Sequence, residues 1–370
     1  MGETQTIQNV SGRNVRQLQI TPEMVDAALV RDLPRLGVGM DELDIRQMVQ
    51  GMGFDSLQGL ATTASMTTPL QFLQTWLPGF IKVITAARKI DVLTGVQTAG
   101  SWENEEIVQG ILEYTGSATP YSDYGNVPLS SWNTNWERRT IVRFEEGMSV
   151  GTLEEMRAGK INVSSAGEKR NSAALALEIQ RNRVGFNGFN SGNNRTYGFL
   201  NDPNLPAYVT VATGAASSTT WALKTFLEIV ADLVSALTTL RTQSKDTIDP
   251  NSTPLTLAVS SAVVDRLATM NVQGTQSVKM WLASTYPNVR VESAPELDAA
   301  NGGANVFYLY ADSLNDGSSD DGRVFTQIVP AKFQVLGVEK RAKSYVEDYA
   351  NATAGVLLKR PFAVVRRSGV

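Results

Sequence analysis

A stretch of strict alternation constrains this chain more than any other feature. Trp136, Arg138, Thr140, Val142 and Phe144 alternate with Glu137, Arg139, Ile141, Arg143 and Glu145. A period of two, rich in β-branched and aromatic residues, predicts a strand. Upstream, Ile107, Gln109, Ile111 and Glu113 fall on one side of a second candidate strand. Between the two lies a turn-rich stretch holding Gly116, Pro120, Asp123, Gly125, Asn126 and Pro128. Together they predict a long hairpin, and both of its faces mix charges with hydrophobes. A lone two-stranded hairpin is marginal in water. This one is therefore expected to lie on another subunit.

The next segment continues the theme. A short helix over 153–158 is ended by Gly159. A longer one runs from about Ser164 to Phe186, capped by Ser164 or Ser165, with Gly188 near its end. Its apolar residues form two stripes: Ala173, Leu177 and Val184, and separately Leu175, Ile179 and Phe186. A surface helix carries one stripe. Two stripes fit a helix clamped between layers, or a buried core helix. Residues 187–194 are dense in Asn and Gly and predict a loop, with an apolar touch-down at 197–203.

From Trp221 a second domain is expected. Leu223, Phe226, Leu227, Val230, Leu233, Val234, Leu237 and Leu240 share one helical face; Lys224, Thr225, Glu228, Asp232, Ser235 and Thr239 share the opposite one. Strands over 255–259, 289–293 and 306–310 alternate with helices over 262–270 and 277–284, an α/β layer pattern. Apolar runs at 324–329, 334–338 and 356–365 predict a strand-rich end, the last of them returning to the domain of the long helix. Residues 1–100 show short helices near 24–30 and 41–50 without a sustained pattern, which fits either an extended arm or an ordinary N-terminal subdomain.

Composition narrows the function. The 370 residues are 42% hydrophobic and 19% charged, a globular balance with room for about two domains. There is no cysteine, which removes disulfides and thiolate chemistry, and no histidine, which removes the usual general base near neutral pH. The net charge of −4 suits a container for DNA better than a protein that grips DNA by charge. No stretch approaches the roughly 20 apolar residues of a membrane span, and a soluble intracellular protein is expected at synthesis. Phosphate-loop, dinucleotide and nucleophile-elbow motifs are missing. Asp312, Asp316, Asp320 and Asp321 bracket two glycines and could form a hard-cation site, although a solvated inter-strand loop fits the spacing better. No catalytic, cofactor-binding or metal-ligating residues are therefore expected. The basic pairs Arg138 and Arg139, Lys340 and Arg341, and Arg366 and Arg367 suit interface ion pairs. The candidates for contacts between subunits are Trp136, Arg138, Arg139, Arg143, Glu145, Lys340 and Arg341.

Arm, hairpin, long helix, α/β domain and returning strand, in that order, resemble the Hong Kong 97-type capsid fold of tailed-bacteriophage major capsid proteins. Residues 170–189 and the run Tyr197-Gly198-Phe199-Leu200-Asn201-Asp202-Pro203-Asn204-Leu205-Pro206 are similar to the helix and turn of one branch of that family. Ser293-Ala294-Pro295-Glu296-Leu297, Val306-Phe307-Tyr308-Leu309-Tyr310-Ala311 and Arg360-Pro361-Phe362-Ala363-Val364-Val365 are similar to its later half. The resemblance covers about residues 90–370.

It implies an α+β fold with an N-terminal arm (1–100), an extended hairpin loop (101–148), a peripheral domain with a spine helix (149–218), an axial domain (219–330) and C-terminal strands (331–370). It also implies hexamers and pentamers of one chain around double-stranded DNA, in a virion assembled in the host cytoplasm. Portal, scaffolding and decoration proteins are candidate partners. A lysine–asparagine cross-link from the hairpin is not expected, because residues 102–148 hold no lysine. The competing readings are an encapsulin-type nanocompartment shell and, from another class, a metal-dependent hydrolase using the Asp312 to Asp321 cluster.

Overall fold

The core forms where the apolar helix pattern after Trp221 meets the apolar strands after Leu255. A computed structural model describes residues 87–161 and 163–370, together with a short antiparallel pair, Ile7–Gln8 with Asn14–Val15. The helices expected near 24–30 and 41–50 lie outside the described residues. The chain divides into two units, Met1–Val83 and Ile84–Val370, and all the elements below belong to the second.

That unit starts earlier than the boundary expected at residue 100. Helix α1 (Ile90–Thr94) buries Ile90 and Leu93 in the main core, and β1 (Val96–Gln97) follows it. The hairpin strands are β2 (Glu106–Thr115) and β3 (Ser131–Thr140). Then come β4 (Val142–Gly151), α2 (Thr152–Gly159) and the long helix α3 (Ser165–Asn187). The α/β part contains β5 (Val209–Thr210), α4 (Phe226–Gln243), β6 (Leu255–Ser260), α5 (Val278–Thr285), β7 (Val289–Ala294) and β8 (Val306–Ala311). The chain ends with β9 (Phe325–Ile328), β10 (Ala331–Lys340), β11 (Ser344–Thr353), β12 (Val356–Leu358) and β13 (Val364–Ser368).

A five-stranded mixed sheet, ordered β5-β13-β8-β6-β7, carries the main core. Helix α4 packs on it through Ile229, Leu233, Ala236, Leu237 and Leu240. A capping box starts the helix: the Thr225 amide donates to Glu228 at 2.7 Å. The buried face is rotated from the one read in the sequence. Leu223, Leu227 and Val234 are exposed, whereas Lys224 and Asp232 are buried and paired at 2.5 Å. The physical reason is the short 3-10 turn at Trp221–Leu223, which precedes the helix. Lys224 follows that turn and donates to Asp232, and the Trp221 Nε1–H also donates to Asp232 at 3.0 Å.

Three further expectations are corrected. The helix expected over 262–270 is a single 3-10 turn, Val264–Ala268. Asp298 captures the Ala262 amide, and Met270 is drawn into a bridge with Ser277. The strand expected over 356–365 is two strands, because Pro361 opens a 3-10 turn between β12 and β13. Neither of these returns to the long helix: β12 pairs with β9, and β13 joins the five-stranded sheet between β5 and β8. The returning strand is β11, at the centre of the sheet β10-β11-β4.

Helix α3 lies on that sheet. Ser164 caps it by accepting from the Gly167 amide at 3.1 Å, and it ends at Gly188 with φ +68°. The chain then returns so tightly that a Cβ on Gly198 would sit 2.4 Å from the Phe186 carbonyl oxygen. Of the two stripes, Ala173 and Leu177 pack on Met148, Val150 and Tyr349. Phe186 enters the main core, and Ile179 stays exposed.

Candidate assembly surface

The pairing register of β2 and β3 decides what the hairpin presents. Residues directly opposite one another share a face. Val108, Gly110, Leu112 and Tyr114 oppose Arg138, Trp136, Thr134 and Trp132. The Trp136 ring covers Gly110, where a Cβ would come within 2.9 Å of it. One face is thus built from Val108, Leu112, Tyr114, Trp132 and Trp136, and both tryptophans are about 60% exposed. The other face carries Gln109, Glu113, Asn133, Asn135 and Glu137, with Ile111 as its exposed aliphatic residue. Each face still mixes charges with hydrophobes, as expected: Glu106 and Arg138 share the first with the aromatic residues, and Ile107 and Ile111 share the second with Glu113 and Glu137.

The predicted strand is also broken. Ile141 is buried in a core cluster with Ile328 and Leu357, between the end of β3 at Thr140 and the start of β4 at Val142. Val142, Arg143, Phe144 and Glu145 belong to β4 in the sheet under α3. Arg143 and Glu145 therefore lie off the hairpin, whereas Glu137, Arg138 and Arg139 stay on it.

Each predicted contact residue can now be placed. Trp136 and Arg138 share the apolar face, Arg138 within 3.8 Å of Glu106 at its base. Arg139 points the other way and is 1% exposed. Its guanidinium donates to Asp202 at 2.8 Å and to Glu137, and lies 5.0 Å from the Tyr197 ring centre. Its charge is satisfied within the subunit, which corrects its place among the contact candidates. Arg143 is half-buried and donates to the carbonyls of Trp102 (2.9 and 2.6 Å) and Asn104 (2.6 Å), bracing the root of the hairpin. Glu145 is exposed on β4. Lys340 and Arg341 are exposed at the turn after β10, where Arg341 pairs with Glu339 at 3.0 Å. The third basic pair is internal: Arg366 lies 4.0 Å from the Tyr208 ring centre, and Arg367 donates to Thr239 at 2.7 Å.

Sequence reasoning missed two surfaces. The hairpin tip holds Tyr121, Tyr124, Val127 and Leu129, all more than 80% exposed. Strand β10 is a sheet edge with Phe333, Val335, Leu336 and Val338 open to solvent. Edges of that kind are usually covered. The clue was available in the tip, where four large apolar residues sit in a loop otherwise made of turn formers.

The aspartate cluster does different work from the cation site considered above. Arg360 forks onto Asp316 (2.7 Å) and Asp320 (2.7 Å), and Lys359 reaches Asp321 at 2.7 Å. Asp312 accepts from Thr256. Among the described residues no group of three candidate ligands is placed to hold a metal ion. The cluster staples a loop. The Arg360 guanidinium holds Asp316 well below the usual carboxylate range and Asp320 down to about 2. Arg170 and then the Tyr349 hydroxyl hold Glu347 at about 2.

These folded-state values lie below the unfolded ones, so the stabilisation is present above about pH 4 and is lost as pH falls toward 2. The urea midpoint is expected to hold from pH 7 to 5 and to drop between pH 4 and 2. In an Arg360→Gln variant it should start lower and drop less, and an equal drop in both proteins would remove this account.

The comparisons with known proteins fit this geometry. The model of one family, the Pa193 gp26 major capsid protein, matches residues 59–369. The chain belongs to that family. It is a major capsid protein of a tailed bacteriophage, as the resemblance implied. No curated protein matches the sequence. Among solved structures, this capsid protein is similar to the capsid of Myoviridae phage XM1, with a TM-score of 0.66 at 16% identity over 82% of this chain and 99% of that one. A Mycobacterium phage Ogopogo chain gives 0.53 at 11% identity over 82% and 99%. A chain described as the capsid of a native GTA particle gives 0.51 at 11% identity over 84% and 97%. At such identities the likeness establishes the fold, a phage capsid fold of mixed helix and strand.

Proposed function

We propose that this capsid protein builds an icosahedral head of the Hong Kong 97 type by packing its hairpin onto neighbouring copies. The observation that carries this reading is the hairpin's uncovered aromatic face. Five large apolar side chains on a two-stranded ribbon are unstable as a free surface but suit an interface core. In this reading 106–140 is the extended loop, α3 the spine helix of a peripheral domain, and the five-stranded sheet the heart of an axial domain. Hexamers and pentamers form from the same chain through heterologous contacts bent to different angles. The near-neutral charge of the chain fits an inner wall that lets packaged double-stranded DNA move.

The role is structural rather than enzymatic, and its place is the virion, assembled in the host cytoplasm. Portal, scaffolding and decoration proteins are proposed as further partners. Family membership favours a phage head over a nanocompartment shell.

Deleting residues 115–133 tests the reading. The hairpin residues removed are exposed, apart from the half-buried Thr115, and lie outside the three core clusters. The shortened chain is expected to keep its circular dichroism spectrum and its melting transition while forming no particles by negative-stain microscopy. Unfolding of the shortened chain, or particles of normal size, would remove the hairpin from its proposed role.

A further inference from the structure

We infer that residues 88–97 form a conformational strap that couples the root of the hairpin to the seat of α3 on the five-stranded sheet. The coupling is a property of one subunit, and its use during assembly rests on the reading above.

The strap bridges two bodies. Toward α3, the Ile90 amide donates to Asn182 Oδ1 at 3.3 Å, and Arg181 forks onto Asp91 at 2.6 and 2.8 Å. Toward the main sheet, Tyr310 of β8 donates to the Leu93 carbonyl at 2.7 Å, and Arg290 of β7 to that of Val92 at 3.2 Å. Arg88 and Lys89 add one ion pair on each side, to Glu178 of α3 at 3.1 Å and to Glu292 of β7 at 3.6 Å. Ile90 fills a slot left open by Gly185, where a Cβ would come within 2.6 Å of the isoleucine Cγ1. That slot accounts for a glycine inside a helix, where it is otherwise unfavourable.

Downstream, the same strap is fixed to the hairpin root. Strand β1 lies against β9, and the Gln327 and Val329 amides donate to the Gly95 and Gln97 carbonyls at 3.1 and 3.0 Å. Ala99, Trp102 and Ile107 then pack on the cluster of Ile141, Ile328 and Leu357. The chain from Ile90 to β2 is thus anchored every few residues, and a displaced root pulls on α1.

Two features make α1 the part that gives way. It has five residues and no side-chain cap at its start. A helix so short does not persist in water by itself, so α1 exists only while seated. The seat also holds buried polar atoms, Gln327 Nε2 and Glu296 Oε2, that bond to no group among the described residues. Atoms of that kind disfavour the arrangement that buries them. They offset part of the gain from burying Ile90 and Leu93 and bring the released strap within reach.

Hydrogen exchange read by mass spectrometry on the purified full chain tests the coupling. Gly185→Ala closes the slot and gives α3 a better helix former. Exchange is expected to rise at least tenfold in peptides covering 88–98 and 99–107, with α4, β6 and β13 unchanged. Asp91→Asn removes the anion that Arg181 grips at nearly constant volume, and it is expected to speed the same two peptides. If Gly185→Ala does not fold, Asp91→Asn decides alone. Faster exchange at 88–98 with an unaltered root would overturn the coupling, as would no change, or faster exchange throughout the chain. For the unmodified chain, residues 88–98 are expected to exchange at least tenfold more slowly in particles than before assembly. Equal exchange in the two states would overturn the strap's use in assembly. Failure to form particles would overturn the assembly reading and leave the coupling within the subunit standing.

Discussion

Replacing Trp132 and Trp136 together by serine is expected to leave the subunit folded and to stop particle formation. Both side chains stand on the hairpin, more than half exposed, and neither belongs to a core cluster. Exposed substitutions of this kind change stability by about 0.5 kcal/mol each, although Gly110 loses the ring that covers it. At an interface the balance is different. A buried aromatic anchor contributes about 2 kcal/mol or more when truncated. Two anchors give about 4 kcal/mol per contact, close to a thousandfold in association constant, and a closed shell multiplies that loss over many contacts. Melting by circular dichroism and static light scattering read the two quantities separately. Normal particles from the double variant would show that the aromatic face is not an interface.

Arg139→Ala is expected to act in the opposite way, through folding. Arg139 and Asp202 are both almost fully buried and bonded at 2.8 Å. Asp202 also accepts from the Asn204 amide and, more weakly, from that of Leu358, so one carboxylate ties the hairpin root to the loop after α3 and to β12. Removing the cation leaves a buried charge without its partner, a loss of about 3–5 kcal/mol. Chemical unfolding should show a large fall in midpoint. Pairing Arg139→Met with Asp202→Leu should recover much of it, because neither charge then remains to be compensated. A double variant no better than Arg139→Ala would mean that the local hydrogen bonds, and not the charge pair, hold this site.

The contrast between these two residues explains how much could be read in the sequence. Trp136, Arg138 and Arg139 are neighbours in one alternating pattern, and alternation shows that successive residues face opposite ways. It does not show where a strand stops. The break comes at Ile141, which packs beside Ile328 and Leu357, a tertiary event, and the pairing of β4 with β11 moved Arg143 and Glu145 to another sheet. Strand β3 also begins earlier than expected, because Ser131, Asn133, Thr134 and Asn135 read as loop residues.

Helix α3 was legible because its signals are local: a serine cap, a glycine stop and a 3.6-residue period. Strand β11 was hidden for a related reason. Glu347 interrupts its apolar pattern, and that carboxylate is tolerated only because Arg170 of α3 reaches it. The rotated face of α4 follows the same rule, since Lys224 and Asp232 read as polar separately and are buried as a pair.

The central claim is that this chain is built to be completed by copies of itself. The most direct measurement is negative-stain microscopy with light scattering on the purified, unmodified protein across a range of salt and concentration. The account predicts closed particles or ring-shaped capsomers. A stable monomer at high concentration, with no particles in any buffer, would contradict it.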